Sequence, residues 1–312
     1  MKAIRFDRFG GPEVLRLDEL ATPAPGPRQV LIGVEAASVT PGDWKLRSGF
    51  LQKMFPVSLP CIPGRDGAGR VVAAGAEVDY AKAGDAVCFV ADRTVQGSYA
   101  THIVRDEENV VALPESLSFA QGAALMHAGT CAWIALVDTA KLRRGQRLLV
   151  HAGAGAIGGM AVQLGKHLGA QVAATCSSRN AAYAKSLGAD LVIAYDREDF
   201  AQRCEGCDVV LDLVGGEVHE RSYRVLAKGG ALVWLIARPF VDRSAEFGVR
   251  TLQAHIVDDP RANAAVVRLA GEGALKPQVS RVMPLAEAAQ AHRLLEANRN
   301  SRGRIVLETK NQ

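Results

Sequence analysis

The stretch His151-Ala-Gly-Ala-Gly-Ala-Ile-Gly158 is the clearest indication of fold in this chain. Gly153, Gly155 and Gly158 give it the spacing G-x-G-x-x-G. An apolar run over residues 147–151 precedes it, and apolar residues at helical spacing follow it. Strand, glycine turn and helix in this order form the start of a dinucleotide-binding βαβ unit, in which a pyrophosphate lies at the helix N-terminus. A glycine-rich loop that serves packing alone is the alternative.

The surrounding residues 121–255 alternate strand-like and helix-like segments, which indicates a Rossmann-type doubly wound parallel sheet. The predicted strands are Arg147–Ala152, Gln171–Thr175, Leu191–Ala194, Val209–Leu213 and Ala231–Ile236. The predicted helices are Ile157–Leu168, Asn180–Leu187 and Val218–Leu226. We expect Ala231–Ile236 to be the last strand of this sheet. Its apolar edge then favours pairing with a second copy of the chain in a homodimer.

Residues 1–120 carry short β-type runs separated by Pro and Gly turn signals, as in a β-rich, partly open barrel. Helices are predicted at Asn263–Gly271 and Leu285–Asn298, and a final strand at Arg304–Leu307. We expect that strand to return to the barrel. The domains are therefore 1–120 together with 256–312, and 121–255.

Composition excludes several classes of function. A net charge of +4 with scattered Lys and Arg does not indicate a nucleic-acid partner. The sequence contains no run of about 18 apolar residues, which a membrane span would need, so we expect none. The N-terminus lacks the apolar core of a signal peptide. We expect a cytoplasmic enzyme whose six cysteines are reduced.

The cofactor preference is predicted from the end of the second strand, Cys176-Ser-Ser-Arg179. An NAD site usually has an acidic residue here, on the ribose 2′-OH. Two hydroxyls and a guanidinium instead suit a 2′-phosphate, so NADPH is favoured. The alternative is that Arg179 is a solvated residue at a helix start.

Further motifs carry a family resemblance over nearly the whole chain. They are Ser38-Val-Thr-Pro-Gly-Asp-Trp-Lys-Leu-Arg-Ser-Gly49, Pro63-Gly-Arg-Asp-Gly-Ala-Gly69, Gly97-Ser-Tyr-Ala100, His127-Ala-Gly-Thr130, Asp212-Leu-Val-Gly-Gly216 and Arg302-Gly-Arg-Ile-Val-Leu307. The chain resembles the zinc-independent quinone oxidoreductase and enone reductase branch of the medium-chain dehydrogenase/reductases. That resemblance implies a GroES-like catalytic domain beside the Rossmann domain, and a homodimer.

The resemblance also implies the residues that hold NADPH. The pyrophosphate is expected on the loop from Gly153 to Gly158, at Ala154, Gly155, Ala156 and Ile157. Ser177 and Tyr195 are expected on the 2′-phosphate, helped by Ser178 and Arg179. The remaining cofactor contacts implied are Thr130 and Thr40 near the nicotinamide, Val214 and Gly215 on the adenosine or ribose side, and Arg304. Thr40 stands where the family has Asn.

No metal is expected. Zinc-dependent relatives need Cys and His or Glu ligands in the first domain, and the matching positions fall in Val39-Thr-Pro and Gly64-Arg-Asp66. Cys204 and Cys207 form a C-x-x-C without a second pair, which is a chance placement or a redox pair.

Without a metal, a donor must stabilise the negative charge that grows on oxygen when hydride adds to a quinone or an enone. Lys45 is the first candidate, Asp43 would support its loop, and Tyr99 is a second donor; a solvent-facing Lys45 is the alternative. His127 and His151 are expected to be structural. The leading function is an NADPH-dependent quinone or enone reductase, acting on a small molecule. A non-catalytic NADPH-binding redox sensor or scaffold and an enoyl-thioester reductase are the alternatives.

Overall fold

The computed structural model describes residues 1–90, 96–235, 240–297 and 302–309. The chain divides into two compact units. The first unit comprises Met1–His127, Asp258–Gly271 and Pro277–Gln312, and the second comprises Ala128–Val257 and Glu272–Lys276. The first division falls after His127, whose backbone N–H donates to Asp66 at 3.0 Å, rather than near residue 120.

The strands lie as follows in chain order: β1 Lys2–Arg5, β2 Arg16–Glu19, β3 Gln29–Val39, β4 Asp66–Ala74, β5 Ala86–Val90, β6 His102–Asp106, β7 Val110–Ala112, β8 Arg147–Val150, β9 Gln171–Cys176, β10 Leu191–Ala194, β11 Cys207–Asp212, β12 Leu226–Trp234, β13 Arg250–Gln253, β14 Val279–Pro284 and β15 Arg304–Glu308.

The α-helices are α1 Pro41–Arg47, α2 Phe119–Trp133, α3 Ala156–His167, α4 Ala181–Ser186, α5 Phe200–Arg203, α6 Glu217–Ser222, α7 Ser244–Phe247, α8 Pro260–Gly271 and α9 Ala288–Glu296. Helix α2 continues as a π-helix over Ile134–Thr139. Short 3-10 turns extend α6 through Tyr223–Val225 and precede α9 at Leu285–Glu287.

The first unit is built around a mostly antiparallel sheet with the order β14-β15-β3-β4-β5-β7, and β6 also pairs with β3. Strand β15 runs antiparallel to β3, so the final strand does return to this unit, as the sequence predicted. Alternate residues of β3 (Val30, Ile32 and Val34) are buried in its core.

Two sequence motifs of the first unit pack directly on each other. Gly64 has φ +109, and a Cβ there would lie 2.4 Å from Ser98 Oγ. The N–H of Tyr99 donates to the carbonyl of Pro63 at 3.0 Å. The glycine is therefore required both by the backbone conformation and by this close approach.

The second unit is a six-stranded parallel sheet with the order β10-β9-β8-β11-β12-β13. Chain order reverses beside β8, as in a doubly wound Rossmann sheet, so the predicted fold is confirmed. One expectation is wrong, because β13 pairs along β12 and the strand predicted as Ala231–Ile236 is not the sheet edge. Arg250–Gln253 is a short run without strong alternation, and Ile236 lies outside the described residues.

Two further segments differ from the prediction. Glu272–Lys276 joins the second unit, where the Gln163 amide binds both the N–H and the carbonyl of Lys276, at 2.8 and 3.3 Å. Phe119–Thr139 is long and apolar enough to cross a membrane, but 72% of its most apolar window is buried inside the protein. The core helix of a folded domain passes the same test, so this helix is weak evidence for a membrane span.

Candidate functional site

The glycine turn lies between β8 and α3 in the second unit. The left-handed residue of the turn is Ala152, with φ 55, rather than one of the glycines. A Cβ on Gly158 would lie 2.2 Å from the carbonyl oxygen of Ala152, so this position accepts only glycine. Gly158 thus allows the first turn of α3 to lie against the loop.

The N-terminus of α3 provides the donors of an anion site. Gly155 is the N-cap, in extended conformation, and its own N–H is bound to the Ala152 carbonyl at 2.9 Å. The next N–H groups, at Ala156 and Ile157, start the helix and have no acceptor within it. Both residues are partly exposed. Free N–H groups and the positive end of the helix dipole fit a pyrophosphate at this point.

The ends of β9 and β10 lie side by side, because the two strands are parallel neighbours. The N–H of Tyr195 donates to the Cys176 carbonyl at 3.0 Å, which brings Tyr195 beside Ser177. The Tyr195 side chain is 63% exposed, Arg179 is exposed and Ser177 is partly exposed. The residues predicted for the 2′-phosphate therefore share one edge of the sheet.

Residues 176–179 themselves contain no carboxylate, but the end of the neighbouring strand brings one to them. Asp196 accepts hydrogen bonds from both the N–H and the hydroxyl of Ser178, each at 2.7 Å. The hydrogen bond from the Ser178 hydroxyl lowers the pKa of Asp196, so this carboxylate is charged at neutral pH. The sequence carried a signal for it, since Asp196 follows Tyr195 directly at the end of the neighbouring strand.

A buried network that the sequence analysis missed holds the loop after β11. One oxygen of Asp212 accepts from the N–H groups of Val214 and Gly215 at 2.8 and 2.9 Å. The other accepts from Nδ1 of His219 at 2.8 Å, and Nε2 of His219 lies 3.4 Å from the Tyr223 hydroxyl. Burial acts to raise the pKa of Asp212, but these hydrogen bonds prevail and lower it. Asp212 thereby fixes Val214 and Gly215, which were predicted to line the cofactor.

The other residues singled out in the second unit are buried. His151 is 1% exposed, and its ring nitrogens contact the hydroxyls of Thr175 and Ser222 at 3.1 and 3.0 Å. Burial lowers the pKa of His151 to about 4, so the ring is neutral and acts as a structural link. Thr130 is 3% exposed in α2.

In the first unit, helix α1 brings together Thr40, Asp43 and Tyr99. Asp43 accepts from the N–H of Thr40 at 2.7 Å, as in a capping box, and from the Tyr99 hydroxyl at 3.3 Å. The Tyr99 hydroxyl also lies 3.3 Å from Nε2 of His292. Because a carboxylate can only accept, the tyrosine donates to Asp43 and accepts from His292.

The expectation that Tyr99 donates to a substrate is wrong. Its side chain is 0% exposed, within the core of the first unit. Burial raises the pKa of Tyr99 well above 10, and its one proton is used on Asp43. Tyr99 is a link between Asp43 and His292 that the sequence could not reveal.

Lys45 lies on the same helix with its side chain partly exposed. Its ammonium is 5.7 Å from the ring centre of Trp44 and 5.8 Å from that of Phe50. Contact with two aromatic rings restrains the side chain more than solvent alone would. The Lys45 ammonium is therefore restrained against an aromatic surface rather than freely solvated.

Arg304 and Asp66 lie on strands β15 and β4, within one sheet. Asp66 is fully buried and accepts from Ser38 Oγ at 2.5 Å. Burial raises the pKa of Asp66, although the Arg304 charge opposes the shift. Arg304 is 4% exposed, and Nε and Nη2 of its guanidinium are buried without a hydrogen-bond partner in the described structure. A buried cation with unused donors suits an anionic ligand, and a contact of Arg304 with the cofactor stays a prediction.

The positions where zinc-dependent relatives carry ligands are occupied by other contacts. Arg65 forms an ion pair with Asp258, and Asp66 is bound as described. Across residues 1–90, 96–235, 240–297 and 302–309, no three His, Cys, Asp or Glu side chains form a group that could hold a metal ion.

Comparisons with known proteins agree with this architecture. Residues 26–115 match the alcohol dehydrogenase GroES-like domain, and residues 187–307 match a family described as zinc-binding dehydrogenase. The quinone oxidoreductase of Pseudomonas aeruginosa is 33% identical, over 98% of this chain and 99% of that protein. The chloroplastic quinone-oxidoreductase homolog of spinach is 40% identical, but the match spans 62% of this chain and 61% of that protein.

Solved structures match the whole chain. The quinone oxidoreductase of Coxiella burnetii has a TM-score of 0.88 at 35% identity and covers 99% of both chains. The Escherichia coli quinone oxidoreductase, solved with NADPH, has a TM-score of 0.89 at 28% identity, over 99% of this chain and 100% of that one. An NAD-dependent alcohol dehydrogenase has a TM-score of 0.93 at 30% identity, over 99% and 100%.

The fold and these relatives define the class as a nicotinamide dinucleotide-binding oxidoreductase. The chain belongs to the zinc-independent quinone oxidoreductase branch of the medium-chain dehydrogenase/reductases.

Proposed function

We propose that the protein is an NADPH-dependent reductase of quinones, or of the activated C=C bond of α,β-unsaturated carbonyls, and that it works without a metal. The observation that carries the proposal is the grouping of the predicted cofactor residues where the parallel strands of the second unit end. There the N-terminus of α3, Ser177 and Tyr195 follow the ends of adjacent parallel strands. Nicotinamide supplies the hydride when the cofactor is bound.

In the second unit, the chain's own work is to bind and orient. The first N–H groups of α3 take the pyrophosphate, and Val214 and Gly215, held by Asp212, line the ribose. Ser177, Tyr195 and Arg179 take the 2′-phosphate. The fit is supported by Gly158, whose missing Cβ lets the helix start lie against the turn.

In the first unit, Lys45 donates a hydrogen bond to the substrate oxygen on which negative charge develops, or orients the ribose hydroxyl that does so. Asp43 fixes the start of the same helix through the Thr40 N–H, so it is a positioning residue for Lys45. Thr40, Thr130 and Arg304 remain proposed cofactor contacts.

NADH is the second candidate cofactor, and Asp196 is the observation that favours it. Its carboxylate lies on Ser178, where it repels a 2′-phosphate and can accept from a ribose hydroxyl. NADPH remains the first proposal because Ser177, Arg179 and Tyr195 lie along the same edge. The NADPH-bound Escherichia coli relative supports the same choice.

The test is a titration of both cofactors against the wild type, Arg179→Ala and Asp196→Asn. Loss of one charge-assisted hydrogen bond costs about 1.5–3 kcal/mol, so Arg179→Ala should weaken NADPH roughly tenfold or more while NADH is little changed. Asp196→Asn should strengthen NADPH. Equal wild-type affinity for both cofactors, or tighter binding of NADH, would overturn the NADPH assignment.

The reaction is tested separately, by turnover of the preferred cofactor against a panel of quinones and enones. Turnover with either class supports a reductase. Tight cofactor binding without turnover of any member would instead support the non-catalytic sensor or scaffold.

A homodimer in the cytoplasm is also proposed. Strand β13 covers the apolar edge expected at β12, so the proposal rests on the family resemblance and on β13, one of the two outer strands of the second unit's sheet. An unpaired edge can accept a second copy of itself. Sedimentation should give a dimer at micromolar concentration, and a monomer would contradict the proposal.

A further inference from the structure

Two cysteines lie where the strands of the second unit's sheet begin, at the opposite end of those strands from the glycine turn. Cys204 is the C-cap of α5, and Cys207 is the first residue of β11. The glycine turn follows the last residue of β8, which runs parallel to β11. Parallel strands all begin on one side of a sheet and end on the other. The two thiols are therefore remote from the strand ends where the cofactor is proposed to bind.

The two thiols are already in contact. Their sulfur atoms lie 3.1 Å apart and share a hydrogen bond, and both cysteines are free. Gly206 between them has φ +64, a left-handed conformation that lets the chain turn back within three residues. The two sulfur atoms are therefore already within reach of each other.

A guanidinium lies beside this loop. A Cβ on Gly206 would lie 3.3 Å from Nη1 of Arg147, and the backbone N–H of Arg147 donates to Asp208 at 2.7 Å. The hydrogen bond with Cys207 lowers the pKa of Cys204, and the Arg147 charge acts in the same direction. Burial and the Glu205 carboxylate oppose that shift.

The two sulfurs differ in reactivity. The hydrogen bond with Cys204 and burial raise the pKa of Cys207 far above that of an ordinary thiol. Cys204 is 7% exposed and Cys207 is 1% exposed. The residues on either side of Cys204, Arg203 and Glu205, are exposed, so Cys204 lies directly under the surface. Thiolate character and access both make Cys204 the attacking group.

We propose that Cys204 and Cys207 form a thiol–disulfide exchange site whose co-substrate is a small-molecule disulfide. The Cys204 thiolate attacks one sulfur of the co-substrate, forms a mixed disulfide and releases one thiolate. Cys207 then gives up its proton and attacks the Cys204 sulfur. An intrachain disulfide forms, and the second thiolate leaves. The protein loses two electrons and two protons, and the co-substrate becomes two thiols.

The wild-type test uses oxidised glutathione on the reduced, folded protein, followed by acid quenching, thiol counting and peptide mapping. We expect two of the six thiols to be lost, a Cys204–Cys207 bridge, and no retained glutathione. A full count of six thiols, retained glutathione or a bridge to another cysteine would each overturn the proposal.

Single variants separate the two roles. Cys207→Ser should retain one glutathionyl group on Cys204, because the resolving thiol is missing. Cys204→Ser should leave Cys207 unmodified, and Cys176→Ser is the matched control that should still form the bridge. Equal labelling of the two single variants would contradict the assigned roles.

A measurement on the wild type does not depend on the folding of any variant. Phenylarsine oxide binds two adjacent thiols, so prior addition should block disulfide formation, and oxidation should block arsenical binding. Absence of mutual protection would overturn the proposal. Cross-linking a short loop also stabilises the fold, and we expect the melting temperature of the oxidised protein to rise by a few degrees, about 2–6 °C. None of these readouts uses reductase activity.

Discussion

Each unit contains a buried cluster in which a carboxylate, a histidine and a tyrosine are in contact. The two clusters differ in which of the three residues lies in the middle. In the first unit the tyrosine is central, and Tyr99 lies 3.3 Å from both Asp43 and His292. In the second unit the histidine is central, and His219 lies 2.8 Å from Asp212 and 3.4 Å from Tyr223.

His292 and Asp212, one residue from each cluster, both have a lowered pKa, but for different physical reasons. Burial, with help from the Arg47 charge, lowers the pKa of His292 to about 3. Asp212 contacts an imidazole and two backbone N–H groups, and its pKa is lowered despite burial. The same three residue types therefore give a neutral histidine in one unit and a strongly bound carboxylate in the other.

The largest effect is expected for Asp212→Asn, with Asp43→Asn as its counterpart in the first unit. Asp212 accepts hydrogen bonds from Val214, Gly215 and His219 in a buried network, and each hydrogen bond to a charged group contributes about 1.5–3 kcal/mol, so we expect a loss of about 3–5 kcal/mol of unfolding free energy. Asp43 accepts from the Thr40 N–H and from the Tyr99 hydroxyl, and loss of these contacts should cost about 1–3 kcal/mol. Urea unfolding measures both, and an equal or larger loss for Asp43→Asn would break the comparison.

The pH dependence of stability should follow the two buried neutral histidines. His292 and His151 have folded pKa values of about 3 and about 4, below the ordinary 6.5 of the unfolded chain. The unfolded state therefore binds more protons below pH 6.5, and stability falls as the pH drops from there. Each histidine contributes a slope of about 1.4 kcal/mol per pH unit within its window.

Glutamine variants sharpen this prediction. His151→Gln should remove its share of the slope between pH 6.5 and about 4, and His292→Gln should do so down to about pH 3. Thermal melts across this range measure the slope. Unchanged slopes in both variants would show that neither histidine is buried in its neutral form.

A smaller effect is expected for Lys45→Ala, which tests whether the lysine on the helix held by Asp43 stabilises the negative charge on the substrate oxygen. Loss of one oxyanion donor costs about 10²–10³ in rate, and a partly solvated site about tenfold. We expect kcat for an enone to fall by that factor, with cofactor affinity nearly intact and quinones less affected. Lys45→Arg should keep more of the rate, and Lys53→Ala, on an exposed lysine, is the matched control. Rates equal to wild type with both substrates would make Lys45 a surface residue.

The smallest effect is expected for metal removal. The positions of the first unit where relatives carry zinc ligands hold Arg65 and Asp66, bound to Asp258 and Ser38. Incubation with a chelator should leave activity unchanged, and elemental analysis should find no stoichiometric zinc. About one zinc per chain, lost together with activity, would contradict this.

The glycine turn, the strands around it and the return of Arg304–Glu308 to the first unit could all be predicted from the sequence. These features rest on local spacing: a glycine where a Cβ would meet Ala152, and apolar runs with the period of a strand or a helix. Such patterns act within a few residues, so they can be recognised before any tertiary contact is known.

Tertiary pairing alone decided the rest. Asp196 binds Ser178 across a sequence separation of 18, because two parallel strands end side by side. Tyr99 meets His292 across a separation of 193, and that contact changes a predicted substrate donor into a buried link. Strand β13 covers the expected sheet edge in the same way. Residues far apart in the chain set these contacts through packing, which leaves no local period in the sequence.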